Sequence, residues 1–159
     1  MPALGSLTLI NAPLEAVFDL AQNIDLRLKW DPFLKEVKYL NGATSIKTGT
    51  RVWFRNSVGL KMTVEFFGVT RPAVVGMKMV RGPRVFRQFL ANWQFRAIDA
   101  ANTEVTCKYV FESRWQIIGW LIDPMILSLV RRDNRKRLAG LKKGAEQMGL
   151  IEQIGARRL

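Results

Sequence analysis

The chain contains no histidine and a single cysteine, Cys107, among its 159 residues. The commonest general base near neutral pH and the commonest metal ligand are therefore missing. A metal site would need a cluster of carboxylates instead, and neither a metal nor a cofactor is expected. Glycine-rich phosphate loops and G-x-G-x-x-G spacings do not occur either. What remains for chemistry is cationic and phenolic. Arg87 shares an alternating face with Phe89, Ala91, Trp93 and Phe95, where a charge must be paired, solvated at a cavity mouth or met by an anionic ligand. A register slip is the other reading of its position. Tyr39 and Tyr109 offer phenols that could hold the polar handle of a guest. Cys107, between Val105 and Tyr109, reads as a small buried hydrophobe with no base beside it to make a thiolate. Glu65 and Glu112 fall on outward positions, which argues against a paired-carboxylate site. Tyr109 and Arg87 are the groups in this set that could polarise a carbonyl.

The elements that must position these groups follow from hydrophobic period. Ser6 to Asn11 reads as a first strand with Leu7 and Leu9 on one face, and two short helical pieces follow, LEAVFDLA and then Asp25 to Pro32. A strand over about Lys35 to Leu40 ends at Asn41 and Gly42. Four or five alternating strands then run in series from Thr50 to Arg114, joined by short turns, so an antiparallel meander is the economical topology. The inward positions predicted to line a cavity are Tyr39, Phe54, Met62, Phe66, Met77, Met79, Arg87, Phe89, Tyr109 and Phe111, with trans-sheet fillers such as Val64, Trp93 and Phe95 as ordinary core. The paired thioethers of Met77 and Met79 can repack around varied apolar guests.

Asp123 to Gly149 is predicted to be one long amphipathic helix, with Asp123 as N-cap, Pro124 at the first helical position and Gly149 as the left-handed stop. Leu127, Val130, Asn134, Leu138, Leu141, Ala145 and Met148 recur at three- and four-residue steps. At roughly 37 Å this helix is too long for one partner helix, and a curved sheet is the natural partner. The expected class is α+β, six to seven antiparallel strands around the helix in a single domain over residues 1–159, with a loose tail from about residue 150.

This order resembles the START-like superfamily, also called SRPBCC, with its helix-grip fold, and within it the polyketide cyclase/dehydrase-like branch. The resemblance is carried by INAPLEAVFDLAQNIDLRLKWDPFLKEVKYLNG at residues 10–42, GTRVWF, NWQF, NTEVTCKYVF and the closing LAGLKKGAEQ. These are fold residues, with no catalytic signature among them. The resemblance implies a cavity between sheet and long helix, entered near the short helices and loops, that takes a hydrophobic or amphipathic small molecule such as a lipid, quinone or polyketide. Lipid carriers, hormone receptors, aromatase/cyclases, coenzyme Q-binding proteins and ribosome-associated translation inhibitors are among such relatives. Binding or transport is the leading expectation, a polyketide cyclase/aromatase-type enzyme the alternative, and a ribosome- or membrane-associated regulatory protein using the basic face of the long helix the second alternative.

Charge bears on partners. With 25 basic and 13 acidic residues the chain carries +12, which favours anionic surfaces over any sequence-specific contact with DNA. Arg131, Arg132, Arg135 and Lys136 gather on the outer face of the long helix, where solvation, anionic lipid headgroups and ribosomal RNA are the readings open. Trp53 and Phe67 on the outer sheet face could stack or form a dimer patch, leaving monomer or homodimer open. The lone cysteine fits a reducing compartment, and the N-terminus lacks the pattern of a secretory signal, so the cytoplasm is expected. Trp115 to Val130 is apolar, but Asp123 and Pro124 interrupt it and it falls short of a span.

Overall fold

The computed structural model describes residues 2–157. Strand β1 (Ala3–Ile10) leads into helices α1 (Leu14–Gln22) and α2 (Ile24–Trp30). Strands β2 (Leu34–Tyr39), β3 (Arg51–Asn56), β4 (Lys61–Thr70), β5 (Val74–Arg81), β6 (Phe86–Asp99) and β7 (Asn102–Ser113) follow, then the helices α3 (Gln116–Glu146) and α4 (Leu150–Arg157). The seven strands make one antiparallel sheet in the order β1-β7-β6-β5-β4-β3-β2. Only β1 is paired out of chain order, so α1 and α2 carry the chain from one edge of the sheet to the other. The sheet curls around α3 with its apolar face inward.

Strict alternation decides that face over most of the sheet. Val64 and Phe66 of β4, Ala91, Trp93 and Phe95 of β6, and Val105, Cys107, Tyr109 and Phe111 of β7 are all buried. Strand β1 turns its Leu7 and Leu9 face outward. Leu4 and Ile10 are buried while Leu7 and Leu9 are exposed. Half-buried Ser6 and Thr8 occupy the inner positions instead, where small side chains leave room for α3 to lie against this strand.

Helix α3 begins two turns earlier than the Asp-Pro pair suggests and runs through Pro124. A proline inside a helix removes the bond to the carbonyl four residues back, here that of Trp120. Both Pro124 and Trp120 face solvent, so water can take that carbonyl and the helix survives. At the other end Gly149 does adopt a positive φ of 63°. The chain then turns into α4 rather than a loose tail, with Leu150 buried and Ile151 and Ile154 against the core. Residues 158 and 159 of the predicted tail lie outside the described residues.

Two glycines of α3 set how closely α2 can cross it. A Cβ on Gly140 would collide with the carbonyl oxygen of Trp30, and one on Gly144 would sit 2.9 Å from the Trp30 Cβ. The small-residue pair therefore lets the end of α2 rest directly on the α3 backbone, one helical turn beyond Arg137.

Candidate functional site

A cavity of about 340 Å³ lies between the inner sheet face and α3, within the range of small-molecule sites. Its apolar wall comes from β3 (Phe54), β4 (Met62, Phe66), β5 (Met77, Met79) and β6 (Phe89). Tyr109 of β7 also lines it. Tyr39 packs against the core without reaching the cavity, and Phe111 is fully buried beneath Phe86, with ring centroids 5.6 Å apart.

Arg87 is not in the cavity. A bulge between Phe86 and Gln88 inserts one residue into β6, so Phe86 and Phe89 point inward and Arg87 points out. Its guanidinium is largely exposed and pairs across the sheet with Glu112 at 3.2 Å.

The cation that does reach the cavity comes from the helices. Arg27 of α2 and Arg137 of α3 both line it, and both donate to the carboxylate of Asp31 just past the end of α2: Arg27 Nε at 3.3 Å and Arg137 Nε at 3.1 Å, with Arg137 Nη2 ion-paired 3.0 Å from the same oxygen. Arg137 Nη1 donates to the Tyr109 hydroxyl at 2.9 Å, and Arg27 Nη1 to the Ala21 carbonyl at 3.3 Å. Both guanidinium groups sit over the Trp93 ring, at 5.7 and 5.6 Å from its centroid. Asp31 is 1% exposed and Arg27 5%. The Asp31 carboxylate spends its other oxygen on the backbone N–H of Phe33.

The charges in this cluster do not balance. Burial, then the neighbouring Arg137 charge, press the Arg27 guanidinium below its ordinary pKa, and Asp31 works against both. Arg137, despite its burial, is held charged by Asp31. Guanidinium groups stay protonated in proteins, so two positive charges face one carboxylate at the floor of an apolar cavity. Burial pushes the Tyr109 phenol up, so it stays a neutral hydroxyl, and it pushes the Cys107 thiol up to about 12. Asn134, a lining residue, donates to the Cys107 carbonyl at 3.2 Å, and its own buried side-chain oxygen has no hydrogen-bond partner among the described residues.

Sequence reading missed Arg27, Asp31 and Arg137. The available signal was helical spacing: Arg27 and Asp31 are four apart, and Arg137 stands three after Asn134 and four before Leu141, on the inner stripe of α3. The exposed lining residues mark the open side of the cavity. Helix α2 seals the floor, while the opening lies among Val58 and Leu60 at the β3–β4 turn, Pro83 and Val85 at the β5–β6 turn, and Leu129 and Arg132 of α3. Asn56 builds the first of these turns by accepting from the N–H groups of Val58 and Leu60. Arg131, Arg132, Arg135 and Lys136 are all exposed on α3.

A curved antiparallel sheet gripping one long helix around a cavity defines the START-like, helix-grip class of proteins. Residues 6–146 match the family described as polyketide cyclase / dehydrase and lipid transport, and the chain belongs to that family. Among solved structures, the Zhui aromatase/cyclase from Streptomyces sp. R1128 is similar over 92% of this chain and 94% of its own, at 15% identity and a TM-score of 0.79. A START superfamily protein from Mycobacterium smegmatis is similar over 92% of this chain and 98% of its own, at 11% identity and a TM-score of 0.77. XoxI from Bacillus cereus covers 93% and 98%, at 13% identity and a TM-score of 0.76. At these identities the likeness speaks to fold. No curated protein matches the chain significantly.

Proposed function

We propose that the protein binds, and carries, a hydrophobic small molecule bearing an acidic end. The observation that supports this is the pair of guanidinium groups sharing one buried carboxylate at the floor of a largely apolar cavity. An anionic group seated there would neutralise the surplus positive charge and accept charge-assisted hydrogen bonds. Phe54, Met62, Phe66, Met77, Met79 and Phe89 would cover the apolar body, each buried Å² contributing about 25 cal/mol. The family's description includes lipid transport, and the buried lone cysteine fits residence in the reducing cytoplasm.

The test is a titration of a fatty acid and its matching alcohol into wild type, Arg137→Lys and Tyr109→Phe, followed by tryptophan fluorescence. Trp93, beneath both guanidinium groups, is the expected reporter. Arg137→Lys keeps the charge but loses the two-pronged contact, and it should weaken the acid by about tenfold while leaving the alcohol nearly unchanged. Equal losses for both ligands, or no saturable binding of either, would return the cluster to a structural role.

A second reading, cyclisation of a polyketide-like substrate, draws on the aromatase/cyclase among the structural neighbours and on Tyr109, whose hydroxyl faces the cavity held by Arg137. A neutral phenol beside a guanidinium can polarise a carbonyl. Turnover of a poly-β-keto substrate that is abolished in Tyr109→Phe would favour it over simple carriage.

A further inference from the structure

Helix α3 changes character along its length rather than only around its circumference. Its outward stripe opens with Ile117, Leu121 and Met125 at four-residue steps, 90%, 64% and 60% exposed, with Trp120 beside them at 77%. The same face then continues as Arg131, Arg132, Arg135 and Lys136, all exposed. The apolar half is continuous with the cavity, because Leu129 is both exposed and part of the cavity lining, and Val58 and Leu60 stand exposed across the same opening. Arg84 adds an exposed cation at the β5–β6 turn, between the mouth residues Pro83 and Val85.

We propose that this surface docks on an anionic lipid bilayer, with the first turns of α3 laid into the headgroup region and the cavity mouth opening onto the lipid. Bulky apolar side chains that nothing among the described residues covers, an exposed tryptophan and a bordering set of basic residues are the combination that a charged membrane interface rewards. No helix among the described residues is long and apolar enough to cross a membrane, so the contact is peripheral. The charge decides between occupants. A second copy of this chain would bring another +12 against the first, whereas an anionic bilayer supplies the opposite sign. RNA would satisfy the arginines but leave Ile117, Leu121 and Met125 in water. The inference does not rest on the ligand-binding reading, since docking is measured on the protein without any ligand.

The experiment is flotation of the full chain with phosphatidylcholine vesicles, with and without phosphatidylglycerol. Two variants are compared, Ile117→Ser/Leu121→Ser and Arg131→Gln/Arg135→Gln/Lys136→Gln, both confined to exposed positions and checked for unchanged thermal unfolding. Wild type should float only with the anionic vesicles. The basic-residue variant should bind on the order of 100-fold more weakly, and the apolar variant on the order of tenfold more weakly even at low salt. Absence of flotation, or flotation indifferent to Ile117→Ser/Leu121→Ser, overturns the proposal. So does a dimer that the apolar variant dissociates while vesicles are ignored. Cosedimentation with ribosomes that depends on the basic residues alone, without vesicle binding, overturns it as well.

Discussion

Arg137 and Asp31 stand 106 residues apart in the chain and meet through two guanidinium nitrogens, at 3.1 and 3.0 Å, on one carboxylate oxygen. The contact ties the end of α2 to the middle of α3 and fixes the floor of the cavity. Because Arg27 leans on the same oxygen, Asp31 is the counter-ion of two buried cations. Replacing Asp31 by alanine leaves both without one, and breaking a buried ion pair from one side costs about 3–5 kcal/mol. Urea unfolding of Asp31→Ala should show that loss. A change below about 1 kcal/mol would mean that the guanidinium groups find water instead.

The crossing of α2 over α3 makes a prediction of sign. Alanine in place of glycine inside a helix ordinarily stabilises by about 1 kcal/mol. At Gly140 the added methyl meets the Trp30 carbonyl, a backbone atom that cannot swing aside, so Gly140→Ala should instead destabilise by about 1–3 kcal/mol. Gly155 of α4 has open space around it and serves as the control: Gly155→Ala should be neutral or stabilising. Stabilisation by both substitutions would mean that α2 yields readily.

Arg87 should prove dispensable. Its pair with Glu112 is an exposed cross-strand contact, the kind that contributes little in water. Arg87→Met is expected to change unfolding free energy by no more than about 0.5 kcal/mol and to leave fatty-acid affinity where it was. A selective loss of acid binding in Arg87→Met would show that β6 can shift register and turn this side chain inward.

The contrast between Arg87 and Arg137 shows where the sequence was readable. Inner positions of β4, β6 and β7 were legible because period 2 holds over most of each strand and one face is turned to the core, so alternation carries the answer there. One extra residue at the Phe86 bulge breaks that period, and no residue type there announces it. In β1 alternation alone does not say which face is inner: the inner side holds the small residues Ser6 and Thr8 against α3, leaving Leu7 and Leu9 outside. Asp123-Pro124 carries a helix-start signal, yet a solvent-facing proline is tolerated within a helix that already has an apolar run before it. Arg137 stands beside the predicted inner residues Asn134, Leu138 and Leu141, but its partners are at the end of α2 and in β7. Such pairing follows from topology, which local spacing does not encode.

The last prediction concerns alkaline pH and follows from burial of two neutral acids. The folded state keeps the Cys107 thiol protonated up to about 12, against an ordinary value of 9.0, and burial raises the Tyr109 phenol from its ordinary 10.0 in the same sense. The unfolded chain therefore releases protons that the folded chain still holds once pH passes the ordinary thiol value. Stability from this source is intact below that value and declines as pH rises toward the folded value, by at most about 1.4 kcal/mol per pH unit for each proton. Chemical denaturation between about pH 8 and pH 11 should show the decline, and Cys107→Ala should remove the thiol's share of the slope while Tyr109→Phe removes the phenol's. In the native state the thiol should also resist Ellman's reagent until the protein unfolds, because thiolate is the reacting form. Rapid native labelling, or an alkaline slope identical in Cys107→Ala, would show that the inner face near Cys107 opens to water and that the cavity floor is looser than its packing implies.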